Sequence, residues 1–191
     1  MQFSWYSDAG IAFDQALIQS VSVSTTAGFT TTDFSNWPVF LPIMLIFSSF
    51  IGGCAGSTGG GLKVIRVFLL YLQGKREVDR LIHPKAVYSV KLGERALPDR
   101  VVEAVWGFFS AYAMIFVIIM VGLIATGMDD VTAFSATAAT LNNLGPGLGE
   151  VAATYADVSD SGKWLLIIAM LFGRLEVFSL LVLFSPTFWR S

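Results

Sequence analysis

The sequence has one cysteine, Cys54, and one histidine, His83, in 191 residues. A single cysteine excludes an internal disulfide and a cysteine-built zinc site. A single histidine leaves little for imidazole-based metal chemistry. Charge is sparse as well. Asp, Glu, Lys and Arg make up 14% of the chain, where a soluble domain carries about 25%. Hydrophobic residues reach 54% and the mean hydropathy is +0.68, which predicts a membrane protein. The first ten residues lack a basic start followed by an apolar core, so no signal peptide is read there. The opening on polar and aromatic residues predicts a fragment of a longer protein.

Three apolar stretches, 39–72 (interrupted), 101–126 and 164–188, reach the roughly 20 residues that a crossing needs. Lys63, Arg66, Lys75, Arg76, Arg80, Lys85, Lys91, Arg95 and Arg100 supply nine of the twelve basic residues. The positive-inside rule therefore predicts a cytoplasmic loop between the first two stretches. Asp8, Asp14 and Asp33 precede the first stretch. Asp129, Asp130, Glu150, Asp157 and Asp160 separate the second from the third, against one Lys163. Those segments are expected to face outward, where acidic charge gathers cations.

The two outward segments resemble each other. Residues 16–31 read ALIQSVSVSTTAGFTT and residues 133–148 read AFSATAATLNNLGPGL. An offset of 117 residues places Gly28 on Gly145. Both pieces are too short to cross a bilayer and too apolar for exposed loops. Each is expected to dip in as a short helix and return as extended backbone, which is tolerated at depth only beside protein or a water-filled cavity. Thr25, Thr26, Ala27 and Gly28 would present carbonyls to a cation, as would Asn142, Asn143, Leu144 and Gly145 in the second copy. A polar turn between helices is the alternative.

Gly52, Gly53, Gly56, Gly59, Gly60 and Gly61 fall within ten residues. Each costs a helix interior up to about 1 kcal/mol relative to alanine, so a broken helix is expected. A phosphate loop does not fit, because Lys63 stands between Leu62 and Val64 rather than between glycine and a hydroxyl residue. Tight helix packing remains open, since Gly52, Gly56 and Gly60 read GxxxGxxxG. Arg174 lies mid-way in the last stretch, where a charge faces a cavity or a partner; a structural arginine on backbone carbonyls is the other reading. Lys63 is expected to snorkel to the interface. Among other function classes, an intramembrane serine protease on Ser57 lacks a base, because His83 lies in the charged loop. A broken-helix secondary transporter and a non-conducting fragment stay open.

STTAGF, IGGCAGSTGGGLKVIR, TLNNLGPG and LFGRLEVFSLLVLF resemble the Trk/Ktr/HKT potassium transporter superfamily, in particular the C-terminal portion of bacterial Trk-type membrane subunits. The resemblance implies an all-α integral membrane fold with four channel-like repeats of outer helix, re-entrant pore loop and inner helix. Residues 1–74 would be the pore loop and broken inner helix of one repeat. Residues 75–100 would be a cytoplasmic basic loop, and 101–191 a complete repeat. It implies potassium as the substrate, no cofactor on this chain, and glycine rather than serine in the filter for potassium over sodium. Gly52, Gly53, Gly56, Ser57, Thr58, Gly59, Gly60 and Gly61 would form a gating loop, with Arg174 part of the barrier beside it. The implied partners are a second copy of the subunit, in a homodimer, and a cytosolic nucleotide-binding ring (TrkA-like) that binds ATP or NAD(H). The implied location is the bacterial inner membrane. With two of four filter strands, this chain is not expected to conduct alone.

Overall fold

The computed structural model of the chain describes residues 6, 8–38, 40–54, 59–86 and 88–175. Gly56, Ser57 and Thr58 of the expected gating loop, and 176–188 of the third apolar stretch, lie outside the described residues.

Helix α1 (Ala9–Ser24) starts at Asp8, whose carboxylate accepts from the Gly10 N–H at 3.0 Å. Such a cap satisfies one of the donors that a helix start leaves open. A 3-10 turn at Phe34–Asn36 leads to α2 (Phe40–Ile51). The glycine-rich segment follows, and then α3 (Val64–Ile82). The break is closed at its base, since the Leu62 N–H donates to the Phe50 carbonyl at 2.8 Å and the Val64 N–H to the Gly53 carbonyl at 3.3 Å. About a third of the segment expected as a basic loop is helical, because α3 runs on to Ile82. Its remainder carries an antiparallel hairpin, β1 (Lys91–Leu92) with β2 (Arg95–Ala96). The described fold is therefore helical except for this hairpin, where an all-α chain was expected.

Helix α4 (Asp99–Ala125) is, among the described residues, the one helix long and apolar enough to cross a membrane. Asp129 caps α5 (Asp130–Leu141) and Ser159 caps α6 (Asp160–Arg174) through their side chains. Helix α5 is the centre of the packing. Every residue from Thr132 to Leu141 is buried except Phe134, which is half-buried. Its run of Ala, Ser and Thr explains this, because small side chains let neighbouring backbones approach on all sides. One core forms where Ala133 and Ala136 meet Ile119, Leu123, Leu166 and Ala169 of α4 and α6. A second forms where Ala138 and Ala139 meet Val23 of α1 and Ile46 of α2. Helix α1 is open by contrast, with Phe13, Leu17 and Val21 exposed.

A buried polar node ties three elements together. The Tyr112 phenol on α4 donates to Asn142 Oδ1 at 2.5 Å. Asn142 Nδ2 donates to Ser49 Oγ on α2 at 2.8 Å, and Ser49 Oγ donates to the Ile46 carbonyl at 2.6 Å. Asn142 and Ser49 are fully buried. Tyr112→Phe leaves Asn142 Oδ1 without its donor in a dry site. The expected loss is about 1–3 kcal/mol, read as a lower unfolding midpoint in detergent. An unchanged midpoint would show that the node adds nothing to stability.

Candidate functional site

Helices α1 and α5 end in the same way. The residue after each helix, Thr25 or Asn142, has φ −85 with ψ −3 or −2. The next residue, Thr26 or Asn143, has φ 57 or 53. The Thr26 N–H donates to the Val23 carbonyl at 3.1 Å and the Ala27 N–H to the Ser22 carbonyl at 2.8 Å. The Asn143 N–H donates to Thr140 at 3.0 Å and the Leu144 N–H to Ala139 at 2.7 Å. Each of these positions lies 117 residues from its counterpart. This is the Schellman closure, which normally places glycine at the left-handed residue. Threonine there is strained, because a branched side chain meets its own backbone at positive φ. Gly28 and Gly145 follow at φ 77 and 106. The closure consumes helix carbonyls and leaves those of the turns to face elsewhere.

The two turns touch. A Cβ on Gly28 would overlap the Leu144 carbonyl oxygen and lie 3.6 Å from Pro146 Cδ, so glycine is needed there for space as well as torsion. The glycine-rich break reaches both turns at one residue. The Gly60 N–H donates to Thr26 Oγ1 at 2.9 Å, and a Cβ on Gly60 would overlap the Asn142 carbonyl oxygen. Gly52, at φ 64, and Gly61, at φ 76, pack on the Gly60 and Ser49 carbonyls. Gly53 receives the Val64 N–H on its carbonyl. Gly59 is bound through its carbonyl by Lys63 Nζ. The Lys63 ammonium therefore holds the break's own backbone rather than only snorkelling. From α6, Gly173 is pressed against the Leu141 carbonyl and the Asn143 side chain. Its neighbour Arg174 is an exposed residue at the end of the helix.

The eight turn residues and the described break residues are thus brought together at the ends of α1 and α5. Sequence reasoning missed the side chains that support them. Gln19, fully buried on α1, donates through Nε2 to the Thr32 carbonyl at 3.2 Å. The Thr31 hydroxyl donates to Gln15 Oε1. At the position 117 residues after Thr31, the Leu148 N–H donates to Ser135 Oγ on α5 at 2.9 Å. Each short helix therefore grips its own returning strand. Two glutamines one turn apart on α1, Gln15 and Gln19, are the signal that points to this in the first copy. Tyr155 donates to the Gly145 carbonyl at 2.7 Å. Its burial pushes the phenol up to about 12, so it remains a donor at neutral pH.

Known proteins share this sequence and overall fold. Residues 6–191 match the family model TrkH, described as a cation transport protein. The chain belongs to the TrkH family. It is 72% identical over 180 residues to the Trk system potassium uptake protein TrkH of Vibrio parahaemolyticus, covering 94% of this chain and 37% of that protein. To the protein of the same name from Escherichia coli it is 64% identical over 186 residues, covering 97% and 38%. The crystal structure of the potassium transporter TrkH from Vibrio parahaemolyticus superposes with a TM-score of 0.89 at 70% identity. That match covers 97% of this chain and 40% of the solved one. The chain thus spans under half the length of the TrkH relatives it matches.

Two glycines separate space from helix propensity. Gly60→Ala is expected to displace the break or prevent folding, since its methyl has nowhere to go. Gly74→Ala, on α3 with nothing within 4 Å of the added methyl, is expected to be neutral or stabilising by up to about 1 kcal/mol. Melting of the two purified variants in detergent checks this; equal behaviour would contradict the close approach at Gly60.

Proposed function

We propose that this chain is the C-terminal part of a potassium uptake subunit of the bacterial inner membrane. Residues 25–28 and 142–145 are two of the strands of its ion-selective filter. The observation that carries the reading is the pair of matching turns, each at the carbonyl end of a short helix and in contact with the other. A helix C-terminus carries partial negative charge, and backbone carbonyls can replace an ion's water shell. Potassium is the substrate because the relatives named above are potassium uptake proteins. Residues 1–74 form the pore loop and broken inner helix of one repeat, 75–100 face the cytoplasm, and 101–191 form a further repeat.

The break from Gly52 to Gly61 acts as the gate. It hangs from the first turn by the Thr26–Gly60 hydrogen bond and lies on the second at Asn142. Arg174 adds positive charge at the same level and opposes a cation while the gate is shut. The intact subunit pairs with a second copy and is controlled by a cytosolic nucleotide-binding ring that docks on the basic 75–100 segment. A second reading, that the 191 residues alone form a non-conducting fragment, is favoured by their share of the relatives' length, 37–38%.

Rubidium uptake into liposomes tests this, with the chain alone compared with the chain joined to the remaining N-terminal part of the Vibrio parahaemolyticus relative. Uptake only by the joined protein, resistant to sodium, is the expected result. Selective uptake by the chain alone would overturn the need for further strands. No uptake by the joined protein, with or without Arg174→Ala, would overturn the transport reading.

The gate has its own test. Thr26→Val keeps the branched shape and removes the acceptor for Gly60. It is expected to raise basal uptake about five-fold, the factor for one net hydrogen bond of ~1 kcal/mol, while Thr26→Ser stays at the parent level. Equal basal uptake in Thr26→Val and the parent would exclude the hydrogen bond from gating.

A further inference from the structure

The peptide that joins Gly145 to Pro146 has a single hydrogen-bonding group. Proline brings no N–H, so the Gly145 carbonyl is the only polar handle on that unit. Tyr155 holds it, with the phenol donating at 2.7 Å. Open space surrounds the position where a Gly145 side chain would be. A cavity of ≈ 430 Å³ bounded by Asn143, Leu144, Gly145, Tyr155, Ile167 and Met170 lies alongside and gives the peptide room to rotate. Tyr155 itself is firmly placed. Its ring packs on the core formed by Ile119, Leu123 and Leu166, and its own carbonyl accepts from the Val158 N–H at 3.3 Å. The first turn is built differently. Phe29 follows Gly28 in place of proline, and among the described residues no donor reaches the Gly28 carbonyl.

We infer that Tyr155 is a positioning residue for ion discrimination, fixing the outer carbonyl of the second turn so that the turn cannot close around a cation smaller than potassium. The inference rests on the filter reading given above. Its physical basis is the balance between carbonyl number, field strength and freedom to move that sets potassium over sodium. A sodium ion needs its ligands drawn inward. A carbonyl tethered by a phenol resists that movement, and the same bond takes up one of its two lone pairs. Released, the Gly145 peptide turns within the cavity and can follow the smaller ion.

The test uses the full-length joined protein with Tyr155→Phe, which keeps the ring and deletes the donor. Two quantities are read: the rubidium-over-sodium uptake ratio in liposomes, and the carbonyl carbon-13 chemical shift of labelled Gly145 by solid-state NMR. The expected result is a ratio lowered about three- to ten-fold, the range for one neutral hydrogen bond. The Gly145 shift should move upfield and the melting temperature should hold. A shift that moves while the ratio stays would overturn the role in discrimination. A shift that does not move would overturn the tether itself. A parent protein that takes up rubidium and sodium alike would overturn the potassium reading and the role of Tyr155 with it. A selective parent with an equally selective Tyr155→Phe variant would overturn the role of Tyr155 alone.

Discussion

The structure turns on the side chain of Asn142. This residue ends the central helix α5, and its amide is spent inward, on Tyr112 of α4 and Ser49 of α2. An amide buried without partners is expensive, and a fully satisfied one fixes a unique arrangement. Because the amide is locked, the backbone at Asn142 is locked, and so is the left-handed turn that follows at Asn143. The carbonyl of the same residue is then delivered to Gly60 of the break. One residue thus sets the depth of α5, the direction of the second turn and the seat of the glycine-rich segment.

Around that node the chain uses absence of side chain as a building material. Gly28 lies on Leu144, Gly60 on Asn142 and Gly173 on Leu141. In each case the missing side chain lets the backbone come close to a carbonyl oxygen without supplying it a strong donor. The helix ends therefore keep much of their negative character while being closely packed. The first turn is held differently, by Gln15 and Gln19 from its own helix and by the hydroxyl of Thr26. The two turns match in backbone and differ in support, as expected of repeats that share a task while meeting different neighbours.

Family membership and the positions of both turns are legible in the sequence, because glycine at a matched offset after a short small-residue helix constrains the backbone locally. The break is legible for the same reason: six glycines cannot continue a helix. The residues that hold the turns are not. Asn142 reads as a turn residue, and only packing shows its amide directed inward. Tyr155 lies ten residues beyond Gly145, with no periodicity to mark it. Thr26 reads as an ordinary hydroxyl, whereas its left-handed angle follows from helix closure rather than from its own preference. The hairpin of the basic loop is too short to leave a strand pattern, and the extension of α3 to Ile82 overrides a charge run that resembles solvated loop.

The base of the glycine-rich break has a mechanical consequence. Phe50 and Leu62 are bonded to each other, and so are Gly53 and Val64, which ties the start of α3 to the end of α2. A push along the axis of α3 meets α2 through these bonds. A twist of α3 is delivered instead to Lys63, which sits at φ 70 and grips the Gly59 carbonyl. A rotation of α3 therefore acts on the backbone next to Gly60, whose N–H is bonded to Thr26 of the first turn.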